Sequence, residues 1–340
     1  MTNLLFKNYN CIDETGLRNF PDSIELCSFK RNGLYPILVL DSSVCLDIVT
    51  FVDNKSKLKE DARYMVESFL VYQNMMGIDV IGGLGIFELA LGGRKLTLDN
   101  KKFSDYGSKL LLALKLSNES LFQDIYVTKD LKEIDIIDKH QEFLPILNAS
   151  YVSLLKLRLL AQKGTSRKNS LSLLQEYTEW LKDELDCIMG LELELAKNIF
   201  GGNSDLQPLL GRDNNVLNEL WGTAWDFLHY RFACLYFHFS TIDGIPQKSF
   251  FITKDNRLTR LLKHLQLEAV IKEEHGLKGI FISSTKEYNH FKGHRSKLKV
   301  LERELFIERA KQNKGKVLDL IKLAEMKNKL ENSLIQLYRA

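Results

Sequence analysis

The sequence predicts an α/β fold with a mostly parallel sheet, a large helical insertion and C-terminal helices. Three observations carry this expectation. Between 36 and 91, apolar runs short enough for strands alternate with helix-patterned stretches, as strand–helix–strand units require. From about 97 to 210 the texture turns Leu-rich and helical. After 210 the mixture of helix and strand returns.

Taken in order, PILVLD at 36–41 is an apolar run closed by a carboxylate, a buried strand that stops at Asp41. Residues 55–76 place Leu58, Ala62, Met65, Val66, Phe69, Leu70 and Tyr72 at helical spacing, with Gly77 as the stop. IDVIG at 78–82 is a second strand, Gly82, Gly83 and Gly85 form a turn, and IFELAL at 86–91 starts a helix carrying Glu88. Helices are expected over 108–117, 151–162 and 171–199, with an exit at Gly201-Gly202-Asn203-Ser204 and Pro208. Residues 215–239 read as a helix, 249–253 as a strand, 257–265 as a helix and 279–284 as a further strand. From 290 to 340, 13 Lys+Arg face 6 Asp+Glu, a net +7 in a chain whose total is +3. Apolar residues at three-to-four spacing make this segment one or two basic amphipathic helices broken near Gly315. The expected organisation is a first half-domain at 1–96, the insertion at 97–209, a second half-domain at 210–289 and the basic helices at 290–340.

The chain has 340 residues, about two domains at ~150 residues each. Its 45% hydrophobic and 27% charged residues are those of an ordinary globular protein and exclude disorder and low-complexity repeats. A net charge of +3 neither announces nor excludes nucleic acid. Cys11, Cys27, Cys45, Cys187 and Cys234 are odd in number and lack metal-ligand spacing, which points to reduced thiols in a cytoplasmic protein and against a Cys-type zinc site. No signal-peptide pattern opens the chain and no apolar run reaches 18 residues, so no membrane association is expected.

Strands that end in an acid at the carboxyl edge of a parallel sheet put that acid where open α/β folds bind ligands. ILVLD at Asp41 and FFITKD at Asp255 do this, and Glu88 and Asp226 add acids from helical segments. Convergent carboxylates repel one another unless a cation or protons neutralise them. Hard oxygen ligands suit Mg²⁺ or Mn²⁺. The alternative for each acid taken alone is a turn residue or a helix cap.

LVLDSSVCLDI at 38–48, VIGGLGIFELAL at 80–91, AWDFLHYRF at 224–232 and FFITKDNRLTRLL at 250–262 together resemble the ordered motifs of the PIN-like domain family of metal-dependent nucleases. The resemblance covers 36–95 and 210–285, with Asp226 lying 138 positions after Glu88. It implies a three-layer α/β/α, Rossmann-like domain and metal-dependent phosphodiester cleavage. The implied catalytic and metal-binding set is Asp41, Glu88, Asp226 and Asp255, holding one or two Mg²⁺ or Mn²⁺ ions, with Ser43 and Thr253 beside the acids. It further implies RNA as substrate, with DNA as the alternative, and a microbial toxin or defence role. A non-catalytic RNA-binding or scaffold protein on the same fold is the competing reading.

Other chemistries fit less well. Position 43 is Ser where a haloacid-dehalogenase-type phosphatase wants a second Asp, and the acidic pair of a response-regulator receiver is missing upstream of Asp41. The phosphate loop, the G-x-G-x-x-G fingerprint and the G-x-S-x-G elbow are missing too.

Several supporting residues have two readings. Asp47 either supports the site or is a solvated helix residue. His229, three residues after Asp226 on one helical face, either orients a carboxylate or substrate or lies at the core edge. Asn256 either assists the metal or, as favoured, caps the next helix. Thr253 fixes the strand end and holds the acids. Lys292, Arg295, Lys297 and Lys299, interleaved with Tyr288, His290, Phe291 and His294, form either a nucleic-acid contact or a solvated linker. His290 and His294 chelate a metal only if that segment is helical. The helical regions are candidate surfaces for a homo-oligomer or a regulatory partner.

Overall fold

The computed structural model describes residues 9–115, 143–236, 241–242, 244–263, 265–273, 276–284, 288–312 and 318–339. The chain divides into two compact units, each assembled from separate stretches of sequence. The first comprises Met1–Lys139 and His229–Thr259, and the second His140–Leu228 and Arg260–Ala340.

The first unit is α/β. Its strands are β1 (Asn10–Asp13), β2 (Gly16–Arg18), β3 (Tyr35–Leu40), β4 (Asp79–Ile81), β5 (Thr241–Ile242) and β6 (Ile245–Thr253), in the order β2-β1-β6-β3-β4 with β5 paired to β6. The β4, β3 and β6 strands are parallel, with Leu38 opposite Val80 on one side and Phe250 on the other. β1 is antiparallel to β6 and carries β2. The β3 residues Pro36–Leu40 are all buried, which explains why this strand reads as a continuous apolar run rather than an alternation.

One face of the sheet is covered by helices, and Leu26 of α1 (Ser23–Arg31) lies in the same core. The core joins Leu38, Leu40, Phe250 and Ile252 to Val44 and Ile48 of α2 (Ser42–Asn54) and to Val66 and Phe69 of α3 (Glu60–Met76). The α3 helix stops where expected: Gly77 adopts the left-handed conformation at φ +55° and its N–H closes on the last turn. Ile86 of α4 (Gly83–Ala90) and Leu110, Ala113 and Leu114 of α5 (Asn100–Lys115) complete that core. Residues 100–115 therefore belong to the sheet-bearing unit and not to an insertion beginning at 97. On β6, Phe251 points to the opposite face and meets the rings of His229 and Tyr230, and Ser249 donates to the Ala233 carbonyl at 2.5 Å.

A buried charge network ties β1 to its neighbours β2 and β6. Asp13 pairs with Arg18 at 3.1 Å and with Lys248 at 3.0 Å, and Lys248 also reaches Glu14 at 2.6 Å. Burial opposes ionisation of Asp13, but the Thr15 hydrogen bonds and Lys248 outweigh it and lower its pKa.

The second unit is mainly helical: α6 (Leu144–Ala161), α7 (Ser170–Trp180), α8 (Gly190–Phe200), most of α9 (Val216–Tyr230), α11 (Arg295–Gln312) and α12 (Leu320–Arg339), with α10 (Asn256–Leu262) entering it from the first unit. The expected helix over 215–239 ends as an α-helix at Tyr230 and continues as a wider π-type turn over Arg231–Tyr236. The α6 helix is long and apolar enough to cross a membrane, and 56% of it is buried in the protein. In α8, Lys197 is buried between Glu194 and Glu302, the latter at 2.7 Å.

Two expectations fail in this unit. The strand expected at 279–284 is not part of the parallel sheet. It belongs to β8 (Gly276–Ser284), which pairs antiparallel with β7 (Leu265–Glu273) in a separate two-stranded sheet. The sequence LQLEAVIKE places apolar residues at 265, 267, 269 and 271, a period of two that marks a strand and a hairpin partner. The half-domain expected at 210–289 is accordingly split, since only His229–Thr259 belongs with the sheet. The basic segment carries the expected helices, α11 and α12, and falls within the second unit.

Candidate metal centre

The site is set by the order of the parallel strands. The chain passes from β3 to β4 on one side and returns to β6 on the other, so the connections diverge at the carboxyl ends of β3 and β6. Such a switch point opens a crevice where ligands bind in open α/β sheets. Asp41 follows the last residue of β3, and Thr253 ends β6.

Asp41 is 2% exposed. Its N–H extends the ladder to the Ile252 carbonyl at 2.9 Å, and its own carbonyl accepts from Val44 and Cys45 as α2 begins. Its side chain occupies the cap position without making a capping bond. Instead Oδ2 accepts from the Ser43 hydroxyl at 2.8 Å and the Thr253 hydroxyl at 2.7 Å. Oδ1 has a longer contact, 3.4 Å, from the Ser42 hydroxyl. Two hydroxyls thus fix one oxygen of the carboxylate.

Glu88 comes from α4, the helix that follows β4. A methyl group at Gly85 would lie 2.9 Å from Cys45 Sγ and 3.1 Å from the Ser42 backbone, so only glycine lets α4 approach the start of α2 this closely. That approach carries Glu88 toward Asp41. His229, fully buried, completes the group: Asp41, Glu88 and His229 each offer a ligand atom, all within 4.8 Å of one another. The His229 Nε2 lies 2.9 Å from Glu88 Oε2, and its ring centroid lies 6.4 Å from that of Phe251. Burial works against the imidazolium, but Glu88 and then Asp41 outweigh it and raise the His229 pKa. Burial, reinforced by the same two carboxylates, pushes the neighbouring Cys45 thiol up and keeps it protonated.

The other two expected ligands, Asp226 and Asp255, are not in this group of three. Asp255 caps α10, accepting from the Arg257 N–H at 2.6 Å and the Leu258 N–H at 2.9 Å, and its second oxygen lies 3.4 Å from the Arg257 guanidinium. It, and not Asn256, is the capping residue; Asn256 accepts from Asn10 at 3.2 Å. Asp226 is half-buried in the second unit, and neither it nor Asp255 is in the ligand group. The α9 member of the group is His229, which the sequence reads either as orienting a carboxylate or substrate or as a core-edge histidine. Asp47 is buried and paired with Lys254 at 2.7 Å, so it is not a solvated helix residue. Lys292, Lys297 and Lys299 are exposed in the second unit, and the Arg295 side chain lies outside the described residues. His290 sits in a short 3-10 turn and its Nδ1 pairs with the Phe200 carbonyl at 3.0 Å, which removes the helical His290–His294 chelate.

Two carboxylates and one imidazole, drawn from three elements and largely removed from water, form a donor set suited to a divalent cation. Comparison with known proteins finds no family model, curated protein or solved structure that matches this chain.

Proposed function

We propose that the chain is a divalent-metal-dependent nuclease of PIN-like, Rossmann-like architecture that hydrolyses phosphodiester bonds, with RNA as the substrate class. One observation carries the reading: Asp41, Glu88 and His229 converge within 4.8 Å at the carboxyl end of the parallel strands. A divalent ion bound there supplies Lewis-acid polarisation of a phosphoryl oxygen and activation of water at neutral pH. Asp41 and Glu88 supply the negative charge that holds the ion, Ser43 and Thr253 orient Asp41, and His229 adds the nitrogen ligand. The exposed Lys292, Lys297 and Lys299 offer charge for a phosphate backbone. RNA rather than DNA follows from the family resemblance of the four motifs.

The competing reading, a non-catalytic RNA-binding protein, draws on Asp255, whose carboxylate is committed to capping and to Arg257. Purified wild-type and Asp41→Asn proteins incubated with total RNA, and with single-stranded and duplex DNA, in Mn²⁺, Mg²⁺ or EDTA separate the two. The nuclease reading expects RNA fragments that require metal and disappear in the variant. RNA binding without metal-dependent cleavage in any condition selects the non-catalytic protein.

A further inference from the structure

We infer that the Asp41–Glu88–His229 site selects a first-row transition-metal ion against Mg²⁺, because its third donor is nitrogen. The inference rests on the metal-binding half of the function proposed above and is independent of cleavage. Mg²⁺ demands near-octahedral oxygen coordination and loses its waters reluctantly. An imidazole is a poor exchange for one of those waters but a good ligand for transition metals.

Here the imidazole is not optional. His229 is fully buried, its Nε2 is 2.9 Å from a Glu88 oxygen, and the Phe251 ring flanks it. A cation that engages Asp41 and Glu88 together therefore meets that nitrogen. Oxygen donors are also limited, since Asp41 Oδ2 already accepts from the Ser43 and Thr253 hydroxyls.

Mn²⁺ stands lowest in the transition-metal affinity order, so preference for Mn²⁺ over Mg²⁺ is the most demanding form of the claim. The test is an electron paramagnetic resonance titration of the full-length protein with Mn²⁺, followed by competition with Mg²⁺. It is run on wild type, His229→Asp, His229→Gln and Asp41→Asn, each checked for folding by circular dichroism. The expected result is one bound Mn²⁺ that needs on the order of 100-fold excess Mg²⁺ for half-displacement, with that excess falling roughly tenfold in His229→Asp, whose ligands are all oxygen. If His229→Asp does not fold, His229→Gln must show the same direction of change.

Half-displacement of Mn²⁺ by near-equal Mg²⁺ in wild type, or an unchanged ratio in the folded His229 variants, overturns the inference. Absence of Mn²⁺ binding, or equal binding by Asp41→Asn, overturns the site itself and the proposed function with it. Selective Mn²⁺ binding by a protein that cleaves no RNA leaves the inference standing and removes only the nuclease reading.

Discussion

Asp41 is held in place by two hydroxyls on its Oδ2, from Ser43 on its own helix and Thr253 on the neighbouring strand. Thr253→Val keeps the shape and deletes a 2.7 Å bond to a buried carboxylate, which should cost about 1–3 kcal/mol in denaturant unfolding. Thr253→Ser should recover most of that loss. Asp255 gives the opposite expectation from a catalytic acid. Asp255→Asn, a good cap, should leave Mn²⁺ affinity and stability nearly unchanged, whereas Asp255→Ala should cost about 1 kcal/mol for the lost cap. A large loss of Mn²⁺ affinity in Asp255→Asn would place that residue back among the ligands. Asp41, Ser43 and Thr253 were legible because a strand-ending acid and its adjacent hydroxyls are local patterns. The place of His229 in the group is less legible, since it shares a helix face with Asp226, three residues earlier, and only packing decides what each side chain meets. For Asp255 the sequence is equally two-sided: a strand-ending acid that opens a helix reads alike whether it caps or ligates, and here it caps α10.

At the scale of elements, the site depends on how closely α4 approaches α2. Gly85→Ala forces a methyl against Cys45 and the Ser42 backbone, and it should destabilise the protein by about 1–3 kcal/mol through overpacking. Because the displaced helix carries Glu88, Mn²⁺ affinity should fall with it. Unchanged affinity in a folded Gly85→Ala protein would show that Glu88 does not depend on this packing. The parallel strands β3, β4 and β6 were readable as short apolar runs because both faces of β3 are buried. The β7–β8 hairpin was missed because 279–284 alone fits either sheet, and the period-two pattern of its partner at 265–271 decides the pairing. The α5 helix was assigned to the insertion for its Leu-rich texture, yet Leu110, Ala113 and Leu114 fill the core of the sheet-bearing unit.

Over the whole molecule, two units are each built from separated stretches of chain. The sequence made the return of α/β texture visible. It did not show that Arg260–Ala340 belongs with the helical unit, because unit membership is set by long-range packing that periodicity does not encode. Acid stability offers a test at this scale. The folded-state pKa of Asp13 is lowered from 3.8, so its stabilising contribution is complete above that value and is lost as pH falls through the lower, folded one. Asp13→Asn should therefore unfold more easily than wild type at pH 7, by about 1–3 kcal/mol, and the gap should close on acidification below roughly pH 4. A gap that is constant across this range would separate the Asp13 network from the acid transition.

The most direct test of the central claim is anomalous diffraction from crystals grown with Mn²⁺. The account predicts one peak bonded to Asp41, Glu88 and His229 Nε2, at about 2.0–2.6 Å from each. A peak at Asp255 without these three residues, or no peak at the carboxyl ends of β3 and β6, would contradict it.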